Sequence, residues 1–309
     1  MVYFWYGLGC TLSTVISVLD LFLVHLYNIE KDERRGSYMS TFDEEIQIAK
    51  AREHLIVKDN KLIQNVRRRK YELTALEQKI LGFIISLIKP PKNAAEEPQY
   101  RYSFDVRLFC KVCGIDYDNG KNYANVKAAL QKLSDNSFWI EEGDDEVLLR
   151  WIDSTRITKK SGKVSIRFSD EIAPYLFDLQ ERFTQYELYQ TLALKGAYSI
   201  ALYELWKSHS FKDKITVSID DLKIYLSITD KYKEYKALRR KVIEPAVEEV
   251  NKYTDLNVKW EPYKQGRSYV AITFYIEKKK QWEGYEAYRR TMAELNGVQH
   301  IPGQINMFE

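Results

Sequence analysis

Residues 231–253 read KYKEYKALRRKVIEPAVEEVNKY, and no other part of the chain says as much about its fold. Apolar residues recur every four positions, which predicts a helix with one buried stripe. The stripe consists of Leu238, Val242, Ala246 and Val250. The first eleven residues contain six basic side chains and one acidic side chain, so positive charge is concentrated where this helix starts. The pattern is typical of an amphipathic helix whose leading end faces an anionic partner.

The basic residues of this segment occupy the side of the helix away from the stripe. At about 100° per residue, Lys233, Lys236 and Arg240 fall opposite the apolar face. Lysine and arginine contact phosphates, and arginine can fork onto guanine in the major groove. We therefore predict DNA contacts from Lys231, Lys233, Lys236, Arg239 and Arg240. The alternative is an ordinary solvated face with ion pairs along the helix. Pro245 is predicted to kink or break this helix.

The same order of elements occurs twice, about 115 residues apart. Each copy reads as a helix, a short strand, a second helix, a third helix and a β-hairpin, which is the order of a winged helix. The second helix is led by a capping residue, either the aspartates Asp105 and Asp220 or the serine two positions before each. Thr74 and Glu77 form a capping box at the first helix. We predict an α+β protein with two tandem, pseudo-duplicated winged-helix domains, although other small α+β domains share this order.

The predicted boundaries follow from these patterns. We expect an apolar leader over residues 1–38, an N-terminal arm over 39–70, a first winged helix over 71–168, a helical linker over 169–194, a second winged helix over 195–280 and a tail over 281–309. Within the first hairpin, residues 147–152 are predicted to form one strand.

Further basic and amide side chains of both copies are candidate DNA contacts. In the second copy the wing adds Lys264 and Arg267. In the first copy the third helix offers Lys121, Asn122, Asn125 and Lys127. Its hairpin offers Lys159, Lys160 and Lys163. The first copy carries less charge, so we expect it to hold phosphates more than to read bases.

The leader is nearly continuously apolar over residues 2–27 and is followed by basic residues, which is typical of a membrane anchor. Met39, however, begins a stretch typical of a natural start. Residues 33–36 (ERRG) can be encoded by a purine-rich run placed where a bacterial ribosome-binding site belongs. We interpret residues 1–38 as translated upstream DNA, with an anchor or a buried helix as alternatives. N-terminal mass analysis of the native protein decides between them.

Composition and motifs argue against enzymatic chemistry. The chain has 309 residues, a net charge of +3 and three cysteines, which make no disulfide framework and fit a reducing cytoplasm. Cys110 and Cys113 lack the further ligands that zinc requires, so we expect buried helical cysteines and no metal or cofactor. A His pair for a nicking tyrosine and a true P-loop are both absent from the sequence. We expect a DNA-binding protein that is not an enzyme.

Three stretches give the chain a family resemblance. They read VKDNKLIQN at 57–65, LTALEQKIL at 73–81 and RRKVIEPAVEEVNKYT at 239–254. Over roughly residues 55–280 the sequence resembles plasmid replication initiators that bind iterons, the directly repeated sites of an origin. The resemblance implies paired winged helices, monomers on iterons, and dimers joined through the first domain that repress their own gene at an inverted repeat. It also implies base-reading positions within residues 231–240, tolerance of Pro245, and host replication partners such as a helicase.

The final residues contain a separate candidate motif. Residues 304–308 read QINMF and resemble the pentapeptide that binds the bacterial sliding clamp. Met307 and Phe308 would fill an apolar pocket while Gln304 hydrogen-bonds at its rim. We therefore expect a clamp-binding tail. A transcription regulator with the same fold, or a membrane-anchored signalling protein, are the functional alternatives.

Overall fold

The computed structural model describes residues 35–69, 72–89, 99–115, 120–159, 161–177, 179 and 182–297. The chain divides into two compact units, residues 1–54 and residues 55–309. The described part of the first unit is chiefly helix α1 (Arg35–Arg52). Most of the predicted leader lies outside the described residues, so the interpretations of its origin stay predictions. No helix in the described ranges combines the length and apolar character needed to cross a bilayer.

The second unit holds all remaining elements, and its first half is the more complex. This half contains β1 (Leu55–Asp59), α2 (Lys61–Gln64), β2 (Val66–Arg69), α3 (Ala75–Ile85), β3 (Arg101–Asp105), α4 (Val106–Val112), α5 (Gly120–Asp135), β4 (Ser137–Glu142), β5 (Asp145–Arg150), β6 (Ile152–Thr158) and β7 (Lys163–Phe168).

The second half begins with short elements and ends with a long helix. It contains α6 (Pro174–Phe177), β8 (Phe183–Glu187), α7 (Tyr189–Leu192), α8 (Ala197–Ser208), β9 (Lys214–Ser218), α9 (Ile219–Leu226), α10 (Tyr235–Leu238), a π-helical turn (Arg239–Ile243), α11 (Glu244–Tyr253), β10 (Leu256–Gln265), β11 (Ser268–Lys278) and α12 (Gln281–Leu295).

Two three-stranded antiparallel sheets have equivalent topology. Their strand orders are β3-β7-β6 and β10-β11-β9, so in each the short strand after the first helix pairs with the last strand of the hairpin. Ser103 pairs with Ser165 in one sheet, and Thr216 pairs with Thr273 in the other. Together with the helices before and between their strands, these sheets confirm two winged-helix domains of duplicated design.

The predicted helix caps are present. The Thr74 side chain accepts from the Glu77 amide at 3.3 Å, and Glu77 Oε2 accepts from the Thr74 amide at 2.9 Å. Asp105 caps α4 through its carboxylate, whereas Ser218 caps α9 through its hydroxyl. The two copies therefore use different residues for the same unpaired backbone amides.

Two sequence predictions within residues 147–194 are wrong. The predicted single strand over 147–152 breaks at Trp151: β5 joins a sheet of order β2-β4-β5, while β6 joins the wing sheet. Trp151 is buried and its ring packs 5.0 Å from Phe138, so core packing turns the chain there. The segment 169–194 is not one helix, because β8 lies within it and pairs with β1.

Helix α8 is the shared core of the two domains. Eight of its twelve residues are buried, so it is covered on nearly every side. Gln78 of the first domain donates to the carbonyl of Ala197 at 2.9 Å, and Gln64 donates to Ser208 Oγ at 3.1 Å. Trp206 meets Phe274 of the second sheet with 5.2 Å between ring centroids. The helix thus belongs to both hydrophobic cores and fixes one relative to the other.

Helix α12 returns from the second domain to the first. The Tyr253 hydroxyl donates to Glu294 at 3.2 Å, and Leu295 is buried. Gly114, just after α4, has φ 65°, and a Cβ placed there would lie 2.7 Å from the Leu295 carbonyl oxygen. Only glycine fits this approach, since a larger residue would collide with backbone.

We expect Gly114→Ala to lower the free energy of unfolding by about 2–4 kcal/mol, combining left-handed strain with a backbone clash. Gly143→Ala is the matched control, because Gly143 has φ 63° but no described heavy atom within 4 Å of its added Cβ. It should lose only about 1–2 kcal/mol. Urea unfolding of both variants gives the difference. Equal losses would contradict close docking of α12 on the first domain.

Candidate nucleic-acid interface

The third helix of the second domain starts later than the sequence indicated. Helix α10 begins at Tyr235, with Glu234 as its capping residue, so Lys231 and Lys233 lie in the preceding loop. Tyr232 has φ 51°, a left-handed conformation that a helix cannot include. The Lys231 amide closes a turn by donating to the Ile228 carbonyl at 3.0 Å. The 100° geometry therefore does not apply to Lys233.

Pro245 does not break the helix. The amide of Glu244 donates to the carbonyl of Arg239, five residues back, within the π-helical turn. This wider turn makes room beside the proline ring, which would otherwise clash with a carbonyl one turn earlier. The helical segment from Tyr235 to Tyr253 is consequently continuous, with α11 following the turn directly.

The apolar stripe is buried as predicted, and the predicted basic residues are exposed, although Lys233 lies before the helix and not on its face. Leu238, Val242, Ala246 and Val250 are each at most 1% exposed. The basic side chains at 231, 233, 236, 239, 240 and 241 are all exposed. One side of this segment is thus held in the core while the other presents positive charge to solvent.

Two of the predicted DNA contacts are engaged by carboxylates. Lys231 Nζ lies 2.7 Å from Glu72 Oε1, and this hydrogen bond raises the pKa of Lys231. Glu72 lies in the first domain, just before α3, and it also accepts from Tyr198 at 3.3 Å, so Lys231 links the two domains. Arg239 Nε lies 2.7 Å from Glu244 Oε1. The pair at Lys231 could not be foreseen from a local pattern.

Lys233, Lys236 and Arg240 form what we term the basic cluster. In the described part of the chain, no ion pair joins any of the three to an acidic side chain. Lys241 is also exposed and extends the cluster along the helix, although the sequence pattern did not single it out. We call the helical segment from Tyr235 to Tyr253 the recognition helix, because it corresponds to the helix that enters the groove in this class of domain. Unpaired, exposed cations at its start are free to meet phosphates or base edges.

The hairpin of β10 and β11, which we call the wing, stands beside the start of this helix. Its hairpin turns at Gly266, with φ 62°, and Lys264 and Arg267 are exposed near the tip. The ring of Tyr269 stacks on the ring of Tyr235, with centroids 4.0 Å apart. Lys264 Nζ lies 4.6 Å from the centroid of the Tyr269 ring. The tyrosines were missed because their contact joins distant parts of the sequence.

The far end of the helix is closed by another lysine. Lys279 Nζ donates to the carbonyls of Asn251 and Thr254, at 2.5 and 2.7 Å. Burial lowers the pKa of Lys279 to about 8. This side chain caps the C-terminal end of α11 and faces away from the basic cluster, so it anchors the helix.

The first domain presents a more neutral surface. Asn125 and Lys127 are exposed on α5, and Asn125 Nδ2 lies 3.4 Å from Asn122 Oδ1. Lys159 and Lys163 are exposed at the turn between β6 and β7. Lys160, the Lys121 side chain, and the motif formed by Gln304, Met307 and Phe308 lie outside the described residues. Their predicted roles therefore stay predictions.

The cysteines of the predicted pair are buried in the first domain. Cys110 and Cys113 are 0% and 4% exposed and are not joined by a disulfide. Their burial is as expected of helical cysteines acting as small apolar side chains. No group of three or more metal-ligating side chains occurs within the described ranges.

Two models of one protein family match the two domains of this chain. The family model "Initiator Replication protein, WH1" matches residues 55–207, and "Initiator Rep protein, WH2" matches residues 218–276. A "Replication initiation protein" of Escherichia coli is 25% identical over 237 residues, covering 74% of this chain and 72% of the relative. The "PI protein" of Escherichia coli is 29% identical over 145 residues, covering 42% of this chain and 48% of the relative.

A solved structure has the same fold. The "Crystal structure of Pi initiator protein in complex with iteron DNA" aligns with a TM-score of 0.60 and 21% sequence identity. The alignment covers 74% of this chain and 99% of the solved one. Nearly all of that protein's architecture is therefore represented here.

Proposed function

From the premise that this chain belongs to the family of initiator replication proteins, DNA-binding initiators with two winged-helix domains, we propose that it binds the directly repeated sites of a plasmid origin as a monomer. Its role is to start replication by recruiting other proteins to that DNA, and it acts as a binding protein in the cytoplasm and not as an enzyme. The first domain holds phosphates while the second reads bases.

The observation that carries this proposal is the basic cluster at the start of a helix that is buried on one face. Lys233, Lys236 and Arg240 are exposed and free of described ion pairs, while the opposite face of the helical segment that begins at Tyr235 is fixed in the core. Cations held this way release counterions from DNA without first breaking internal contacts. The supporting match is a relative of the same fold whose structure was solved with iteron DNA.

Footprinting on the DNA that flanks the gene tests the proposal. We expect several protected blocks of one repeated sequence, evenly spaced, because each monomer occupies one site. Binding should weaken steeply with salt, with log K falling by about 0.9 per phosphate contact for each unit of log salt. A single protected palindrome, with no repeats, would instead favour a transcription regulator.

The remaining parts of the proposal concern partners. A dimer joined through the first domain would bind an operator inverted repeat and repress the gene. The tail residues Gln304, Met307 and Phe308 would bind the sliding clamp, and a host helicase would be recruited to the opened origin. Deleting residues 304–309 should abolish clamp binding while leaving DNA affinity unchanged. Retained clamp binding after this deletion would contradict the assignment.

A further inference from the structure

The wing is a projecting hairpin with little core of its own. Every residue from 261 to 269 is exposed, whereas Val258 and Ile272 nearer the base are buried. Two-stranded hairpins without a packed face are marginally stable in water. Contacts outside the hairpin would therefore be needed to hold its tip in one position relative to the helix beside it.

The stacked tyrosines provide such a contact. Tyr235 is the first residue of α10 and Tyr269 is the second residue of β11, so their stack joins the start of the recognition helix directly to the wing. The rings are nearly parallel, with 22° between their planes. The Tyr235 hydroxyl is buried and has no hydrogen-bond partner in the described structure. Tyr235 therefore contacts the wing through the face of its ring and not through its hydroxyl group.

Lys264 completes the arrangement from the neighbouring strand. It lies directly opposite Tyr269 in the hairpin register, immediately after a bulge between Tyr263 and Lys264. Bulges re-aim side chains, and here the ammonium lies 4.6 Å from the Tyr269 ring centroid. A cation over a tyrosine face is an attractive contact. Lys264 is therefore occupied with the ring, in contrast to the basic cluster.

We propose that Tyr235, Tyr269 and Lys264 form a latch that fixes the wing against the recognition helix before DNA binds. Tyr269 is then a positioning residue. Lys264 supports DNA binding by holding the Tyr269 ring in place, and it does not itself contact a phosphate. The ordinary alternative is an incidental surface contact between aromatic side chains. The proposal rests on the proposed function, because it assigns to the latch the alignment of two DNA-facing elements.

The latch has a consequence for specificity. Sequence-specific binding needs the helix and wing in one register on the duplex, whereas non-specific binding needs only positive charge. Releasing the wing should therefore weaken binding to repeats more than binding to a shuffled duplex. The number of phosphates neutralised, and hence the salt slope, should stay the same.

Hydrogen exchange and DNA titration test the latch with three variants. Tyr269→Ala removes the stack, Tyr269→Phe keeps it, and Tyr263→Ala is the control, since Tyr263 is 61% exposed on the same wing. In the DNA-free protein, Tyr269→Ala should speed amide exchange over residues 261–269 about tenfold. It should also weaken binding to origin repeats about tenfold while changing shuffled-duplex binding less than threefold. The other two variants should behave like the parent.

Unchanged exchange in Tyr269→Ala, or an equal effect from Tyr263→Ala, would overturn the latch. Because exchange is measured without DNA, it tests the latch even if the parent binds no repeats, which would refute the proposed function alone. Lys264→Met provides an independent arm: the salt slope should stay within experimental error of the parent. A slope reduced by about 0.9, as for a lost phosphate contact, would show that Lys264 contacts DNA directly.

Discussion

Replacing Lys233, Lys236 and Arg240 together by alanine should lower affinity for the origin repeats by about two to four orders of magnitude near physiological salt. Each side chain is exposed and free of described ion pairs, so each can contribute a full contact of about 1–2 kcal/mol. If all three neutralise phosphates, the slope of log K against log salt should fall by about 2.7, three contacts at 0.9 each. Fluorescence anisotropy at several salt concentrations measures both quantities.

The control for this variant removes the same charge elsewhere on the same domain. Lys214, Lys259 and Lys278 are exposed at the base of the second wing sheet, where Lys214 and Lys259 both pair with Tyr275, far from the turn at Gly266. Their triple replacement by alanine should change affinity less than about fivefold, through long-range screening alone. Equal losses in the two triple variants would mean that net charge, and not the helix, determines binding.

Glu204→Ala should lower the free energy of unfolding by about 3–5 kcal/mol. Glu204 Oε1 lies 2.5 Å from Lys58 Nζ, with side-chain exposures of 16% and 6%, and it also accepts from Tyr186. Truncation leaves a buried ammonium unpaired between β1 and the shared helix α8. Urea denaturation followed by circular dichroism measures the loss.

Two variants show whether burial is the cause of that loss. Lys58→Met combined with Glu204→Leu removes both charges, so the double variant should recover most of the stability. Glu286→Ala removes an exposed partner of Arg289, whose pair is 33% and 40% exposed, and should lose less than about 1 kcal/mol. A loss as large as that of Glu204→Ala would contradict the importance of burial.

The sequence predicted the features that depend on neighbouring residues. The order of helices and hairpins, the caps at Thr74, Asp105 and Ser218, and the buried stripe of the recognition helix all follow from spacing and local hydrogen bonding. These determinants lie within a few residues of each other. A pattern in the chain therefore records them directly.

The features that sequence could not predict depend on contacts between distant segments. The break at Trp151 arises from packing on Phe138, and β8 is a strand because it pairs with β1. Lys231 is of a residue type that often contacts DNA, but its ammonium group forms an ion pair with Glu72 of the other domain. The latch joins Tyr235 to Tyr269 in the same way. Each case requires the three-dimensional neighbour, which no periodicity reveals.

Pro245 shows how the structure can satisfy a correct local rule without breaking the helix. The proline does lack an amide proton, so a regular helix could not continue through it. The π-helical turn Arg239–Ile243 absorbs this defect, and the helix stays continuous.

Photocrosslinking tests the placement of the recognition helix on DNA most directly. A photoreactive benzoylphenylalanine replaces Lys236 in the basic cluster or, as the control, Lys252, which is exposed near the far end of α11. With a duplex that carries the origin repeats, position 236 should crosslink to nucleotides inside each repeat, and position 252 should give no crosslink. Crosslinks from 252 but not from 236 would contradict the claim that the basic start of this helix enters the groove.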